Sequence, residues 1–349
     1  MKSSHRQFTI VFFTGSVLLL CLLIHRLYDA VYGENIPKIG GEYAEISITK
    51  GMSVHAVGRL LQEKGLTKSA KEFVFAARIL RLDDKIQAGV FLLPYGKSNA
   101  ELLARLINAG TCAALVTIPE GSTSYEIAHI LQMKIGMDSS EFMKAVFDTA
   151  LLQEYGIEAP SFEGYLFPDS YNFYREMRPS WVIRKMTERF FTVFDSMRRA
   201  EAAALGMTVN QIVTLASIIE GEMAYNSEAN EISAVYHNRL KKKMLLQADP
   251  TIQYIIPSGP RKLFRSDLAI ESPYNTYLHP GLPPGAVCNP GRIALDAALH
   301  PAAVPYIFLV SRGDGRHAFN TTLDGHLEDK AYLDSLRLSA AASNLADTP

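Results

Sequence analysis

The sequence predicts an α+β fold that follows an amino-terminal transmembrane helix. A charge-free apolar run occupies residues 8–24, and after it short β-branched stretches alternate with segments whose apolar residues recur at helical spacing. The 349 residues carry a net charge of −1, with 48% apolar and 20% charged residues, as in ordinary globular domains. The chain is therefore long enough for two or three domains, and it has no basic excess that would indicate a nucleic-acid partner.

The apolar run has close to the length that crosses a bilayer, which is roughly 20 residues. Lys2 and Arg6 precede it, and positive charges favour the cytoplasmic side. Residues 1–32 are therefore predicted to form a cytoplasmic tip and a single-pass anchor, with the body outside the cytoplasm. A cleaved signal peptide is the alternative, but no small-x-small cleavage pattern follows the run. The glycine-containing residues 33–45 are predicted to form a tether.

An internal repeat follows the tether. Residues 46–65 and 116–136 each read as a short strand, a glycine turn and an amphipathic helix that ends in Leu-Gln-x-Lys. The strand–helix–helix–strand order over residues 46–93 is typical of small LysM modules, which bind cell-wall glycan, although such modules also serve as plain structural supports. We therefore predict a LysM-like subdomain at residues 46–115 and a second, linking subdomain at residues 116–160.

Residues 161–340 are predicted to form a mixed α+β domain, followed by a tail at residues 341–349. Its expected elements are mainly helices, and a strand hairpin comes near the end. The predicted helices are residues 181–205 as one helix, a helix that starts at Thr208, residues 228–243 after a cap at Ser227, a helix capped by Asp249, and a helix that is capped by the Asn289-Pro290-Gly291 turn and runs to Leu299; the predicted strands are residues 306–310 and 317–320.

Glu220 stands near the end of a helix that is apolar around most of its circumference. Thr208 and Gln211 form a capping-box pattern at the start of this helix. A carboxyl in apolar surroundings, near the negative end of a helix dipole, should resist ionisation, which suits a general acid at neutral pH. A core acid paired with an arginine supplied by the fold is the alternative. Glu222 lies roughly 200° further around the helix, so the two carboxyls are not expected to form a pair.

Polar and aromatic side chains recur in the loops that follow. The amide of Gln247 suits a sugar hydroxyl or acetamido group, and Asn275 and Tyr277 begin a long proline-rich loop suited to stacking on sugar rings. A proline-stiffened crossover is the alternative for this loop. Arg239 lies at the end of a predicted helix that could return towards the glutamates.

Motifs for metals, cofactors and activated nucleophiles are absent from the sequence. The histidines show no zinc-ligand spacing, and there is no P-loop and no G-x-S-x-G element. No metal site and no cofactor are therefore predicted. A disulfide between Cys112 and Cys288 is chemically permitted outside the cytoplasm, and the sequence leaves it open.

Several ordered motifs together resemble the YceG-like endolytic murein transglycosylases (MltG family). The resemblance covers residues 46–333 and the anchor, with departures at Ser170, Gly221 and Leu327. The motifs that carry it are EGYLFPDSY, LASIIEGE, SEANEISAVYHNRL, LQADPTIQY, YNTYLHPGLPPGAVCNPG, AALHPAAVPYIFLV and HAFNTTLDGH.

The resemblance implies a single-pass enzyme of the inner membrane that cuts nascent peptidoglycan strands internally, with a LysM-like subdomain beside the catalytic domain. The catalytic glutamate of the family falls on Glu220. It would protonate the oxygen between N-acetylmuramic acid and N-acetylglucosamine and then assist attack by the 6-hydroxyl, which leaves a 1,6-anhydro end. The implied partners are glycan strands and cell-wall synthesis proteins, and the expected substrate-binding residues are Glu222, Gln247, Asn275 and Tyr277.

Two other functions remain open at this point. A hydrolase would need a second carboxylate roughly 5–10 Å from the first, and the candidates Glu163, Glu222 and Asp249 all have structural explanations. A non-catalytic, membrane-anchored wall-binding scaffold would use Glu220 only as a paired core acid.

Overall fold

The computed structural model describes residues 2–35, 43–108, 114–173, 177–256 and 259–346. The chain divides into two compact units, Met1–Leu115 with Tyr171–Glu176 and Val116–Ser170 with Met177–Pro349. The elements in chain order are α1 (Lys2–Tyr32), β1 (Tyr43–Ile48), α2 (Val54–Glu63), α3 (Ala70–Ile79), β2 (Gly89–Pro94), α4 (Asn99–Leu106), β3 (Ala114–Thr117), α5 (Ser124–Ile135), α6 (Ser139–Val146), α7 (Thr149–Glu154), β4 (Ser170–Phe173), α8 (Pro179–Val193), α9 (Ser196–Ala204), α10 (Val209–Glu222), α11 (Ala229–Lys241), α12 (Asp249–Ile255), α13 (Arg292–Leu299), β5 (Phe308–Ser311), β6 (His317–Asn320) and α14 (Leu323–Ala346).

The first unit has the strand–helix–helix–strand order that the sequence predicts. β1 and β2 pair antiparallel, with Ile46 opposite Phe91. Alternate residues of β1 are buried, as expected of a strand with one face on a core. Ser53 and Ser69 cap α2 and α3 through their side chains. The core between the strands and helices is aliphatic and aromatic.

The carboxyl end of α1 belongs to the core of the first unit. Val31 is only 3% exposed and packs with the buried residues of that core. The Asn99 side chain donates to the carbonyl of Ala30 at 2.8 Å. Asn35, also buried, donates to the carbonyl of Lys97 at 2.7 Å. The predicted tether is thus held in place at its start, and its last residues, 43–45, belong to β1 and not to a tether. Residues 36–42 lie outside the described residues.

The segment Gly15–Tyr32 of α1 is long and apolar enough to cross a membrane. Its leucines at positions 18–20, 22 and 23 are exposed, which fits a helix that packs in lipid rather than in a protein core. This helix is compatible with the membrane anchor that the sequence predicts.

The burial of Val31 predicts that a substitution there lowers the stability of the first unit, whereas a substitution at an exposed anchor position does not. Val31→Ala in the full chain should lower the free energy of unfolding of the first unit by about 2 kcal/mol, because it removes buried methyl groups. Leu27→Ala is the matched control, because Leu27 is 41% exposed, and it should change that free energy by less than about 0.5 kcal/mol. Urea unfolding of both variants in detergent measures the difference. Equal losses of unfolding free energy in the two variants would mean that Val31 does not pack in the core of the first unit.

The second unit is built around α10. This helix packs against α11, α12 and α13, and its residues from Ile212 to Ile219 are all buried. β5 and β6 pair antiparallel, which confirms the predicted hairpin close to its predicted position.

Several predicted helix boundaries are wrong. The single helix predicted at residues 181–205 is two helices, α8 and α9, because the Asp195 side chain accepts from the backbone N–H of Arg198 at 3.1 Å and starts a new helix. Ser227 does not cap α11, which follows a 3-10 turn and has no side-chain cap. Asp249 is the first residue of α12 and not its cap. Residue type alone therefore does not show which of these polar side chains cap a helix.

Candidate functional site

Glu220 lies in the last turn of α10, where this buried helix reaches the surface. The predicted capping box is present at the other end, with Gln211 N–H donating to Thr208 Oγ1 at 3.2 Å. α10 ends at Glu222 and its polypeptide leaves the helix at Met223. The Glu220 side chain is therefore only partly buried.

The Glu220 carboxyl accepts one hydrogen bond, from the backbone N–H of Gly291 to Oε2 at 2.9 Å. Burial raises the pKa of Glu220 to about 6; the Gly291 hydrogen bond lowers this pKa, and the charge of Glu120 raises it. The sequence correctly predicts the direction of the shift and burial as its main cause. Within the part of the chain that the structure describes, no arginine or lysine pairs with Glu220, so the alternative of an arginine-paired core acid does not fit.

Glu120 comes close to Glu220 from the turn after β3. A Cβ atom at Gly291 would overlap the Glu120 carboxyl, so this carboxyl lies directly against the Gly291 backbone. The next residue, Gly121, has φ +76° and lies beside Glu220, whose Cγ is 3.5 Å from where a Cβ would stand. A glycine is required there because other residues rarely adopt this backbone conformation.

Asn289 ties together the loops that surround Glu220. It is fully buried, and its amide nitrogen donates to the carbonyl of Ser122 at 2.9 Å and to Glu163 Oε1 at 2.7 Å. Its amide oxygen accepts from the backbone N–H groups of Gly164 at 2.8 Å and Leu166 at 2.9 Å. The predicted capping role of the turn that begins at Asn289 is wrong in one respect, because α13 has Gly291 at its N-cap and no side-chain cap. The Asn289 side chain instead joins three loops.

Glu163 belongs to this buried framework and not to the open face of the site. Its carboxyl accepts from the backbone N–H of Ser124, at 3.0 Å for Oε1, and from Asn289. Burial raises the pKa of Glu163 to about 7, while these hydrogen bonds lower it. These contacts give Glu163 a structural role, as the sequence indicates.

Ser217, one turn before Glu220, joins α10 to the loop that carries Gly291. Its hydroxyl accepts from the backbone N–H of Val287 at 3.0 Å, and Cys288 Sγ donates to its carbonyl at 3.3 Å. These buried bonds fix the Gly291 N–H relative to the Glu220 side chain. Cys288 is a buried free thiol, and its suggested partner Cys112 lies outside the described residues.

Glu222 faces a separate network on the other side of the helix end, as its rotation along α10 predicts. Its Oε1 accepts from the Tyr236 hydroxyl at 2.8 Å. Burial raises the pKa of Glu222 to about 7, and the charge of Arg239 is among the influences that lower it. Arg239 thus returns towards a glutamate, although its guanidinium donates to the carbonyls of Leu246 and Ile307, at 2.7 Å each.

The predicted substrate-binding loop lies beside this network. The Tyr277 hydroxyl donates to Asp249 Oδ1 at 2.5 Å, which gives Asp249 a role other than capping. Asn275 is fully buried, donates to the carbonyls of Leu268 and Ile270, and accepts from the N–H of Tyr277. Its polar atoms therefore shape the loop and hold Tyr277.

Gln247 is the exposed member of the predicted set. Its backbone has φ +48° and its N–H donates to the carbonyl of Thr276 at 3.1 Å. A residue other than glycine or asparagine in this conformation is uncommon, and such strain is found preferentially at functional sites. The neighbouring Ala248 N–H donates to the Thr276 hydroxyl at 3.0 Å, so the Gln247 turn and the Tyr277 loop form one structure.

A cleft of about 180 Å³ opens next to Glu220. Its walls include Gly121, Ser217, Gly221, Pro250 and Tyr254. A Cβ at Gly221 would overlap the Pro250 ring, so this departure from the family pattern lets α12 approach α10 closely. Tyr254 gives the cleft an aromatic wall of the kind that binds sugar rings.

The other two departures lie apart from this cleft wall. The Ser170 hydroxyl is 2.8 Å from that of Thr117, and Leu327 is 50% exposed. Among the residues that the structure describes, no group of three or more His, Cys, Asp or Glu side chains could hold a metal ion.

Glu120, Gly291 and the tie made by Asn289 are parts of the candidate site that the sequence patterns do not predict. The signal available for the first was the Pro-Glu-Gly turn at residues 119–121, where a charged residue stands between a strand and a helix without a capping role. The sequence pattern presents Asn289 and Gly291 as parts of a helix start. Their long-range contacts have no signature in local sequence.

The chain is similar to a family of known proteins over most of its length. The family model described as YceG-like family matches residues 46–332. A relative from Bacillus subtilis (strain 168), named endolytic murein transglycosylase, is 28% identical over 320 residues, which is 87% of this chain and 88% of the relative. A relative of the same name from Streptococcus pneumoniae (strain ATCC BAA-255 / R6) is 27% identical over 304 residues. That match covers 77% of this chain and only 54% of the pneumococcal protein.

A solved structure is similar as well. The crystal structure of a yceG-like protein from Listeria monocytogenes matches with a TM-score of 0.58 and 28% identity. The match covers 82% of this chain and 98% of the Listeria chain.

Proposed function

The chain belongs to the YceG-like family, and we propose that it is an endolytic murein transglycosylase. It would cut peptidoglycan strands internally, between N-acetylmuramic acid and N-acetylglucosamine, and leave 1,6-anhydro ends. The observation that carries this proposal is the Glu220 carboxyl, whose pKa is raised to about 6 at the edge of an open cleft. The names of the relatives from Bacillus subtilis and Streptococcus pneumoniae support the same activity.

One carboxyl is enough for both steps of this reaction. Protonated Glu220 gives its proton to the glycosidic oxygen as the bond from that oxygen to C1 of the muramoyl residue breaks. The resulting carboxylate then takes the proton of the muramoyl 6-hydroxyl as O6 attacks C1, and Glu220 is protonated again. The Gly291 N–H, 2.9 Å from Oε2, can stabilise the carboxylate between the steps.

The substrate is proposed to bind in the cleft beside Glu220 and to extend past the end of α10 to the Gln247 turn, which does not line the cleft. The exposed Gln247 amide would contact the sugar directly, with Tyr277 next to it. Asn275 would act through the loop it holds, and Glu222 through its network at the end of α10. Stiff loops lose little entropy on binding and can hold a distorted sugar ring, which favours the transition state.

The remaining parts of the chain have supporting roles in this proposal. Residues 1–32 would anchor the protein in the inner membrane, and the catalytic body would lie outside the cytoplasm. Residues 46–115 would form a LysM-like module that adds affinity for glycan, supported by the observed β1–α2–α3–β2 order. Residues 116–160 would link it to the catalytic domain at residues 161–340, and cell-wall synthesis proteins are the expected partners.

Cleavage of uncrosslinked, end-labelled glycan strands tests the proposal. Chromatography of the products should show intermediate lengths early in the reaction, because an endolytic enzyme cuts at internal bonds. Release of disaccharides alone would exclude internal cutting. Retention of strands at full length, with binding but no cleavage, would instead support the non-catalytic wall-binding scaffold.

The raised pKa of Glu220 predicts the pH dependence of the activity. Because the protonated carboxyl is the active form, kcat/KM should be highest below the pKa of about 6 and should fall as pH rises through it. The fall should approach about tenfold per pH unit, since kcat/KM reports the free enzyme. Initial rates between pH 4.5 and 8 measure this limb. A rate that rises through this range would point to a deprotonated group.

A further inference from the structure

We propose that Glu120 is a positioning residue for Glu220, acting through its negative charge and its contact with the Gly291 backbone. This inference rests on the proposed function, in which Glu220 moves the proton. Glu120 does not need to touch the substrate in this role. Its charge favours the protonated form of Glu220, which is the form that must meet the substrate.

The contact between the two glutamates is made at one glycine. The Gly291 N–H points at Glu220 Oε2, at 2.9 Å, and the space where a Gly291 side chain would stand holds the Glu120 carboxyl. Gly121 brings the backbone of the Glu120 turn against the Glu220 side chain on another side. Both carboxyls therefore contact the backbone of Gly291.

Glu120 has no structural task that would explain it. It is exposed, it caps no helix, and within the described ranges it makes no hydrogen bond or ion pair. The cap of the following helix is Thr123, whose box partner is Glu126. A second negative charge beside a catalytic acid makes ionisation of that acid less favourable, so an unpaired carboxylate at this position affects the reaction.

Other ionisable groups around Glu220 are already occupied or neutral. Those on the elements that pack about it are Glu126 on α5, Glu163 behind Asn289, Tyr254 and Asp249 on α12, Cys288 on the preceding loop, Arg292 and Asp296 on α13, which pair with each other, Tyr236 and Arg239 on α11, and Glu222 on its own helix. Burial keeps the pKa of the Cys288 thiol well above its usual range. Glu120 is the charge that acts on Glu220 with no partner to offset it.

A like charge at this place helps both halves of the reaction. Two neighbouring carboxyls resist being ionised together, so the charge of Glu120 favours the protonated form of Glu220. Once Glu220 has given the proton away, the same repulsion makes its carboxylate a stronger base towards the 6-hydroxyl. Both consequences follow from charge and proximity alone.

The test is the pH dependence of kcat/KM for Glu120→Gln in the full chain. The alkaline limb should move to lower pH, with a loss of roughly three- to tenfold at pH 7 and less than about twofold at pH 5, because Glu220 is protonated there in either protein. Glu120→Asp keeps the charge and should restore part of the limb. Glu158→Gln, which removes an exposed charge elsewhere, is the control and should leave the limb in place.

Gly291→Ala tests the geometry independently. Its φ of −75° suits alanine, so the backbone N–H stays while the new methyl group displaces the Glu120 carboxyl. The limb should move in the same direction as in Glu120→Gln. Equal loss at every pH, or an unmoved limb in Glu120→Gln, would overturn the positioning role. Failure of the proposed function is a different result, in which the wild-type protein cuts no glycan or Glu220→Gln cuts it normally.

Discussion

Glu220→Gln is expected to reduce glycan cleavage by roughly 10²–10⁴-fold, the usual value of general acid–base assistance, and to leave the fold intact. The substitution is nearly isosteric, and the glutamine oxygen can still accept the hydrogen bond that Gly291 N–H gives to Oε2. Only the transferable proton is lost. Initial cleavage rates on labelled strands, together with thermal melting of the same protein, measure both parts of the expectation.

Glu222→Gln is the matched control, two residues along the same helix. Glu222 accepts from Tyr236 and faces a different network, so its loss should affect stability more than turnover. If Glu220→Gln keeps more than about a tenth of the wild-type rate, the general acid lies elsewhere. If Glu222→Gln loses activity as severely with an unchanged melting temperature, the two carboxyls act together.

Asn289→Leu is expected to destabilise the second unit by roughly 3–5 kcal/mol. The change leaves the buried N–H groups of Gly164 and Leu166 without their acceptor and takes one donor from Glu163. Because the three loops around Glu220 would separate, cleavage should be lost as well. Urea unfolding measures the loss of stability.

Asn230→Leu serves as the control for this change. Asn230 is exposed, and among the described residues its side chain donates one hydrogen bond, to the carbonyl of His300 at 2.6 Å. Its removal should cost at most about 1 kcal/mol, because water replaces the lost partner. Similar losses for both variants would mean that Asn289 is not the tie between the loops.

Local patterns were sufficient to predict much of the fold. The capping box of Thr208 and Gln211, the strand–helix–helix–strand order of the first unit and the hairpin of β5 and β6 are each specified by residues close in sequence. Glu220 itself could be found because an acid in an apolar helix is conspicuous in sequence. The direction of its pKa shift follows from the same apolar neighbours.

The rest of the site depends on contacts between distant residues. Glu120 and Gly291 meet Glu220 from separate loops, and no spacing along the chain records their approach. The residue types of Asp249 and Asn289 predict caps, whereas in the structure their side chains bind Tyr277 and the loop backbones. Short polar side chains serve local caps and tertiary ties equally well, so residue type alone does not decide between them.

In the proposed reaction, Glu220 alone moves the proton, and the muramoyl 6-hydroxyl, not water, attacks C1. Cleavage of glycan strands in water enriched in oxygen-18, followed by mass analysis of the new ends, tests this claim most directly. We predict 1,6-anhydro ends that carry no oxygen-18. Reducing ends that carry one oxygen-18 atom each would contradict it, since they would require a hydrolase with a second working carboxylate.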